Sequence, residues 1–159
     1  MVYTYDDLIS ELDKEGVEVI EYRFGNRALK GLYVDNVIVI SKAITTDAEK
    51  TCILAEEYGH YRTTYGNILN QKNVSNVKQE KRARNWAYEK LIPLEKLIEA
   101  YEAGVRNCYD LAEFLGVMED FLQDALKHYA EKFGLYVNQA DYLIYFSPLG
   151  IFRGLKLLG

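Results

Sequence analysis

The stretch Leu54-Ala55-Glu56-Glu57-Tyr58-Gly59-His60-Tyr61 holds the densest chemistry in the chain. Residues four apart on a helix share a face, with Cβ atoms about 6 Å apart, so Glu56 and His60 could grip one ion while Glu57 stands beside it. The spacing is that of HExxH with the first His replaced by Glu. In that arrangement the outer residues bind the metal, the inner Glu takes a proton from the metal's water, and one coordination position stays open for that water. A third protein ligand must come from another element. The same ExxxH pair is also what a solvated helix face or a local hydrogen bond would show on an acidic protein. Gly59 tilts the balance toward the metal, because Gly inside a helix costs about 1 kcal/mol relative to Ala. Its place beside His60 implies that another backbone approaches closely there, as a third-ligand helix or a substrate strand would. Cys52, four residues before Glu56, could face the ion too; its other reading is a small buried residue on the core side.

A second stretch runs from Glu80 through Arg84 and Trp86 to Pro93. Here Ala83, Trp86, Ala87 and Leu91 recur at helical spacing as an apolar face, and Glu80 lies one turn before Ala83 on nearly the same side. A carboxylate on a core-facing stripe needs a partner, and a metal held by Glu56 and His60 would be one.

Together the two stretches resemble the ImmA/IrrE metallopeptidases of bacteria, their phages and integrated elements. Residues 54–60 are similar to that family's LAHELGH helix. Glu80, Ala83, Trp86, Ala87, Leu91, Ile92 and Pro93 match, or conservatively replace, its E-x-x-A-N-x-F-A-x-x-L-L-x-P helix. Among the departures, Glu56 stands where the family pattern has His and Arg84 where it has Asn. The resemblance covers about residues 1 to 130 and implies a zincin-like core. It further implies metal ligands at Glu56, His60 and Glu80, a general base at Glu57, and hydrolysis of a peptide bond in a helix-turn-helix repressor of a mobile element, relieving repression. Glu is a competent zinc ligand, so the site need not be dead. Zn²⁺ is the expected ion, although two carboxylates and one imidazole shift preference toward Mn²⁺ or Fe²⁺. For oxyanion stabilisation besides the metal, the candidates by residue type are Tyr61, Tyr65 and His128, each of which also reads as a packing residue with a polar tip.

The pattern along the chain supplies elements to position these residues. Thr4 with Asp7 reads as a capping pair, and Leu8, Ile9 and Leu12 then recur as an amphipathic helix ended by Gly16. Residues 17–22 are β-rich, and 32–34 and 37–40 flank Asp35-Asn36 as a hairpin would, so a small antiparallel sheet is expected. Thr46 with Glu49 forms a second capping box for a helix over residues 47–65. After an Asn-rich loop at 67–76, helices are expected over 79–92 and 94–103. Asp110 with Glu113 makes a third box, opening a short helix stopped by Gly116, and residues 118–133 form a longer one stopped by Gly134. The apolar residues 142–146 read as a late strand or an arm. The fold class expected is therefore α+β and zincin-like: a small antiparallel sheet packed on a helical bundle.

At 159 residues the chain fits one domain, with a helix-turn-helix-like subregion at about 110–133. A net charge of -5 is the wrong sign for phosphate-driven binding, and Glu119, Asp120 and Asp124 against Lys127 would repel a DNA backbone. Direct nucleic-acid binding is disfavoured; Phe121, Leu122 and Leu126 would instead suit a protein-facing or structural helix pair. Lys78, Lys81, Arg82 and Arg84 cluster beside Glu80, as a solvated face or as a substrate contact. With two cysteines, no CxxC, no membrane-length apolar run and no signal peptide, the chain reads as cytoplasmic. The expectation is a metallo-endopeptidase acting on a repressor protein. The alternative is a degenerate zincin that sequesters its target as an antirepressor without cutting it.

Overall fold

The computed structural model describes residues 3–64 and 74–154. Helix α1 (Tyr5–Lys14) begins with a complete capping box: Thr4 Oγ1 accepts from the Asp7 N–H at 3.1 Å, and Asp7 Oδ2 accepts from the Thr4 N–H at 2.9 Å. Its apolar stripe buries Leu8 and Leu12 completely. Three strands follow, β1 (Glu18–Tyr22), β2 (Gly31–Val34) and β3 (Val37–Ser41), in the order β1-β3-β2. The two-residue turn between β2 and β3 places Asp35 and Asn36 at φ of 47° and 61°, the left-handed pair that a tight hairpin requires and that Asp and Asn tolerate best. The sheet is mixed rather than wholly antiparallel, because β1 lies along the far side of β3 and runs parallel to it, with Ile20 level with Val39. Alternation of side chains marks a strand's two faces but not its neighbour or direction, so this pairing was not legible in the pattern. Ile38 and Ile40 point inward and are fully buried.

Helix α2 (Asp47–Thr63) and helix α3 (Val74–Leu91) carry the two stretches of interest. Thr46 caps α2 by accepting from the Glu49 N–H, but the Glu49 carboxylate pairs with Lys30 instead of closing the box. Helix α3 starts five residues before the expected position 79; its first turns are polar, and Val77 is largely exposed, so no apolar periodicity announces them. Next come α4 (Leu94–Glu102), α5 (Cys108–Leu115) and α6 (Glu119–Phe133). The cap of α5 is Asn107, which accepts from the Asp110 N–H at 2.8 Å, so Asp110 sits inside the first turn instead of opening the helix. An acidic residue there suits the positive end of the helix dipole. Gly116, at φ 68°, ends α5 in the left-handed conformation and starts the tight turn into α6. The helix-turn-helix shape expected at 110–133 is therefore present.

Residues 142–146 form β5 (Tyr142–Phe146), the centre of an antiparallel meander with β4 (Tyr136–Gln139) and β6 (Leu149–Arg153). Ile144 and Phe146 are buried, and the Phe146 ring stacks on Tyr129 of α6 at 5.4 Å. A continuous cluster of buried residues thus runs from Leu8 in α1 to Phe146 in β5. No helix among the described residues is long and apolar enough to cross a membrane.

Helix α6 is tied to α3 by a charged cluster. Glu89 accepts from Lys132 Nζ at 2.7 Å and pairs with His128 Nε2 at 2.8 Å. Burial alone would raise the Glu89 carboxyl, but hydrogen bonds from Lys132 and His128 outweigh it and hold the group below its usual 4.5. Because the folded-state pKa is depressed, the stabilisation is present above that usual value and lost as pH falls through the folded pKa. Glu89→Gln should therefore flatten the loss of stability between about pH 6 and about pH 3. The expected difference in urea unfolding is about 0.5 kcal/mol, kept small by the partial exposure of the carboxylate.

Candidate functional site

Helices α2 and α3 cross more closely than side chains normally allow. A Cβ on Gly59 would lie 2.2 Å from the Ala83 carbonyl oxygen and 3.0 Å from the Ala83 Cα. The approaching backbone inferred from Gly59 is thus α3 itself. Around this point Tyr58 meets Trp86, with ring centroids 4.6 Å apart, Gly59 meets Ala83, and His60 meets Glu80. Each step forward along α2 is matched by three steps back along α3, so the helices run antiparallel.

That crossing brings His60 Nε2 to 3.1 Å from Glu80 Oε1. The two come from different helices and are joined only by tertiary packing. Glu57, the next candidate, lies against β2: a Cβ on Gly31 would meet Glu57 Cγ at 3.0 Å and Oε1 at 3.1 Å. Gly31 therefore leaves room for the carboxylate beside β2, the outer strand of the sheet among the described residues. A lone Gly at a strand start is the signal that could have identified it, since such a residue often marks a close approach.

The charges are crowded. Burial first, then Glu80, Asp124 and Asp120, push the Glu56 carboxyl up to about 7, against the opposing pull of Arg84. Burial, Glu56 and Glu80 push Glu57 up to about 8. Like charges sharing a half-buried space disfavour one another's ionised forms, and a cation relieves this. Two carboxylates and one imidazole are hard and borderline donors suited to a divalent ion. Donors bound about 2.0–2.1 Å from a tetrahedral ion are separated by about the His60–Glu80 distance. By donor chemistry and charge, Glu56, His60 and Glu80 fit such a cation. By arrangement only two of them are assembled: among the described residues no three His, Cys, Asp or Glu side chains are grouped as ligands. Glu56 is not drawn into the His60–Glu80 contact.

The remaining candidates take other places. Cys52 is buried, accepts from the Met118 N–H at 3.5 Å, and has its thiol pushed up to about 12 by burial. It is a packing residue. Tyr61 packs its ring at 5.9 Å from Tyr33, and its hydroxyl interacts with Glu15. His128 belongs to the Glu89 cluster described above. Tyr65 lies outside the described residues. Lys78, Lys81, Arg82 and Arg84 are all exposed, with Lys81 3.5 Å from Glu131. The influence of Arg84 on Glu56, and of Asp120 and Asp124 from α6, was not legible in sequence, because it depends on which helices become neighbours.

Gly59→Ala would improve intrinsic helix propensity by about 1 kcal/mol, yet its methyl must displace the backbone of α3. Overpacking of this kind costs about 1–3 kcal/mol, so chemical denaturation should show a net loss of stability. An unchanged or raised midpoint would mean that the two helices are free to separate.

The family model described as the IrrE N-terminal-like domain, Peptidase_M78, matches residues 12–127. No curated protein matches the sequence. The match takes in both motif helices, the first sheet and most of α6, and it supports the resemblance to the ImmA/IrrE group. With its mixed α+β architecture and with Glu56, Glu57, His60 and Glu80 all inside the matched span, the chain belongs to the Peptidase_M78 family.

Proposed function

We propose that this protein is a metal-dependent endopeptidase whose cation is held by Glu56, His60 and Glu80 and whose general base is Glu57. The observation that carries this reading is the His60–Glu80 contact at 3.1 Å across the Gly59–Ala83 crossing, with Glu57 on the same helix. When bound, a divalent cation supplies a water with its pKa lowered from 15.7 to about 7 and polarises the scissile carbonyl. Zn²⁺ is the first choice, with Mn²⁺ or Fe²⁺ favoured by the second carboxylate.

The chain's own groups account for the rest. Glu57 is half-buried beside two other carboxylates, which keeps its proton affinity near that of neutral solution, where a group both accepts and returns a proton efficiently. Gly31 leaves the Glu57 carboxylate unobstructed on the β2 side. His60 Nε2 and Glu80 Oε1 face each other, so both donors point to one place, and an ion bound there would take over their contact. The substrate proposed is a helix-turn-helix repressor, the class implied by the resemblance to the ImmA/IrrE group, and the proposed location is the cytoplasm. One domain is proposed to carry the activity, without direct contact to nucleic acid.

A second reading is favoured by one observation: Glu56 is not grouped with His60 and Glu80. In that reading the protein is a degenerate zincin that binds and sequesters its repressor without cutting it.

Two measurements separate these readings. Elemental analysis of protein purified without chelator should find about one divalent ion per chain, lost in Glu56→Ala and in Glu80→Ala. Glu57→Gln should lower cleavage of the repressor by at least about a hundredfold while leaving repressor binding intact. Derepression that persists in Glu57→Gln would favour the antirepressor.

A further inference from the structure

Helices α4 and α5 and the start of β6 border a cavity of about 430 Å³ that takes no part in the α2–α3 crossing. Leu97 and Ala100 of α4 and Leu111 of α5, all buried, form one wall, and residues 148–152 form another. That second wall lies beyond the matched residues 12–127, so it is the C-terminal meander that closes the cavity. The size and the mainly apolar lining are those of a small-molecule site, in which a few placed polar groups set the orientation of the ligand. At the roughly 30 Å³ that a water-sized group occupies in a liquid, there is room for about fourteen heavy atoms.

Among the described residues lining this cavity one side chain is charged, and it is a cation. Arg106 lies over the Tyr101 ring, 4.1 Å from its centroid, and its Nη1 donates to the Tyr101 and Val105 carbonyls at 2.7 and 2.9 Å. These bonds serve the C-terminal end of α4, where a cation is favoured, and they use a single nitrogen. Capping thus fixes the guanidinium without consuming it. Nε and Nη2 keep their N–H groups, the edge that grips a carboxylate in two parallel bonds, and no acceptor meets them among the described residues. The acids four positions away on either side are engaged elsewhere: Glu102 accepts from the Tyr142 hydroxyl at 2.7 Å, and Asp110 from Asn107 Nδ2 at 2.8 Å. In a chain with 24 acidic residues against 19 basic ones, an apolar cavity that presents a fixed arginine and no acid suits an anion.

We propose that this cavity binds a small amphipathic monocarboxylate, with its apolar body between α4, α5 and β6 and its carboxylate on Arg106. The body gains the hydrophobic burial that the lining offers, and the carboxylate supplies the counter-charge that Arg106 lacks. A neutral ligand of the same shape leaves the guanidinium edge unpaired, and a cationic one is repelled by it. The site is independent of the metal-site reading, because none of Glu56, Glu57, His60 and Glu80 lines it.

The test is titration calorimetry of the full chain with octanoate, octanol and octylammonium. Cys108, which also lines the cavity and is half-buried, reports the place of binding through its rate of reaction with a bulky thiol reagent, while the buried Cys52 gives the slow background. Octanoate should bind once per chain, and at ten times its Kd it should slow the reaction of Cys108 by about tenfold. Octanol should bind about tenfold more weakly than octanoate, and octylammonium more weakly still. Arg106→Gln, shown to be folded by circular dichroism, should lose about tenfold in affinity for octanoate and keep that for octanol. Equal affinity of the parent for octanoate and octanol, undiminished octanoate binding in Arg106→Gln, binding that leaves Cys108 unprotected, or no binding by the folded parent would each overturn the inference. So would a Cys108 that is unreactive before any ligand is added, which would mean that the chain fills its own cavity. Protection that grows with protein concentration alone would overturn it too, by assigning the cavity to a second copy.

Discussion

The arrangement of this molecule depends on one missing methyl group. At Gly59 the backbone of α3 comes so close that a Cβ would sit 2.2 Å from the Ala83 carbonyl oxygen. No other residue type permits that approach without moving a helix, and the approach is what allows the short side chains of His60 and Glu80 to touch. Ala83 and Ala87 continue the same logic on the opposing helix: both are fully buried, and both are small. Trp86, between them in sequence, packs its ring against Tyr58. A close crossing flanked by a broad aromatic contact fixes both the distance and the rotation of α3, which a smooth apolar stripe alone would leave loose.

Charge is organised around that crossing. Helix α2 carries two half-buried carboxylates side by side, and α3 brings the exposed carboxylate of Glu80 to His60. Helix α6 contributes Asp120 and Asp124 to the field felt by Glu56. The helix-turn-helix-like pair is therefore part of the site's electrostatic surroundings, in addition to whatever surface it offers to a partner. It is attached to α3 through Glu89, His128 and Lys132. Arg84 is the counterweight on α3 itself. Gathering like charges is costly, and the cost is limited here because only Glu56 and Glu57 are half-buried while Glu80, Asp120 and Asp124 are exposed.

Much of the fold was legible in sequence because local rules decide it. Thr4 with Asp7 made the expected capping box, Asp35-Asn36 made the expected hairpin, and Gly116 and Gly134 ended the expected helices. Where the reading failed locally, a nearby competitor had won. Asn107 displaced Asp110 as the cap of α5, and Lys30 took the Glu49 carboxylate away from its box. The early start of α3 at Val74 was hidden because an exposed, polar helix leaves no hydrophobic period to read.

By itself the sequence determined the elements, their order, and the choice of Glu56, Glu57, His60 and Glu80 as the residues of interest. These follow from spacing along a single helix and from side-chain chemistry, which are properties of neighbouring positions. The Gly59 anomaly even announced that another backbone must come close. Tertiary structure alone decided which backbone that was and that β1 would run parallel to β3. Only tertiary structure, too, shows that His60 and Glu80 have met while Glu56 stands apart from them. Those facts depend on the distance and rotation between elements far apart in the chain, and they are set by the whole packed core, which no local pattern encodes.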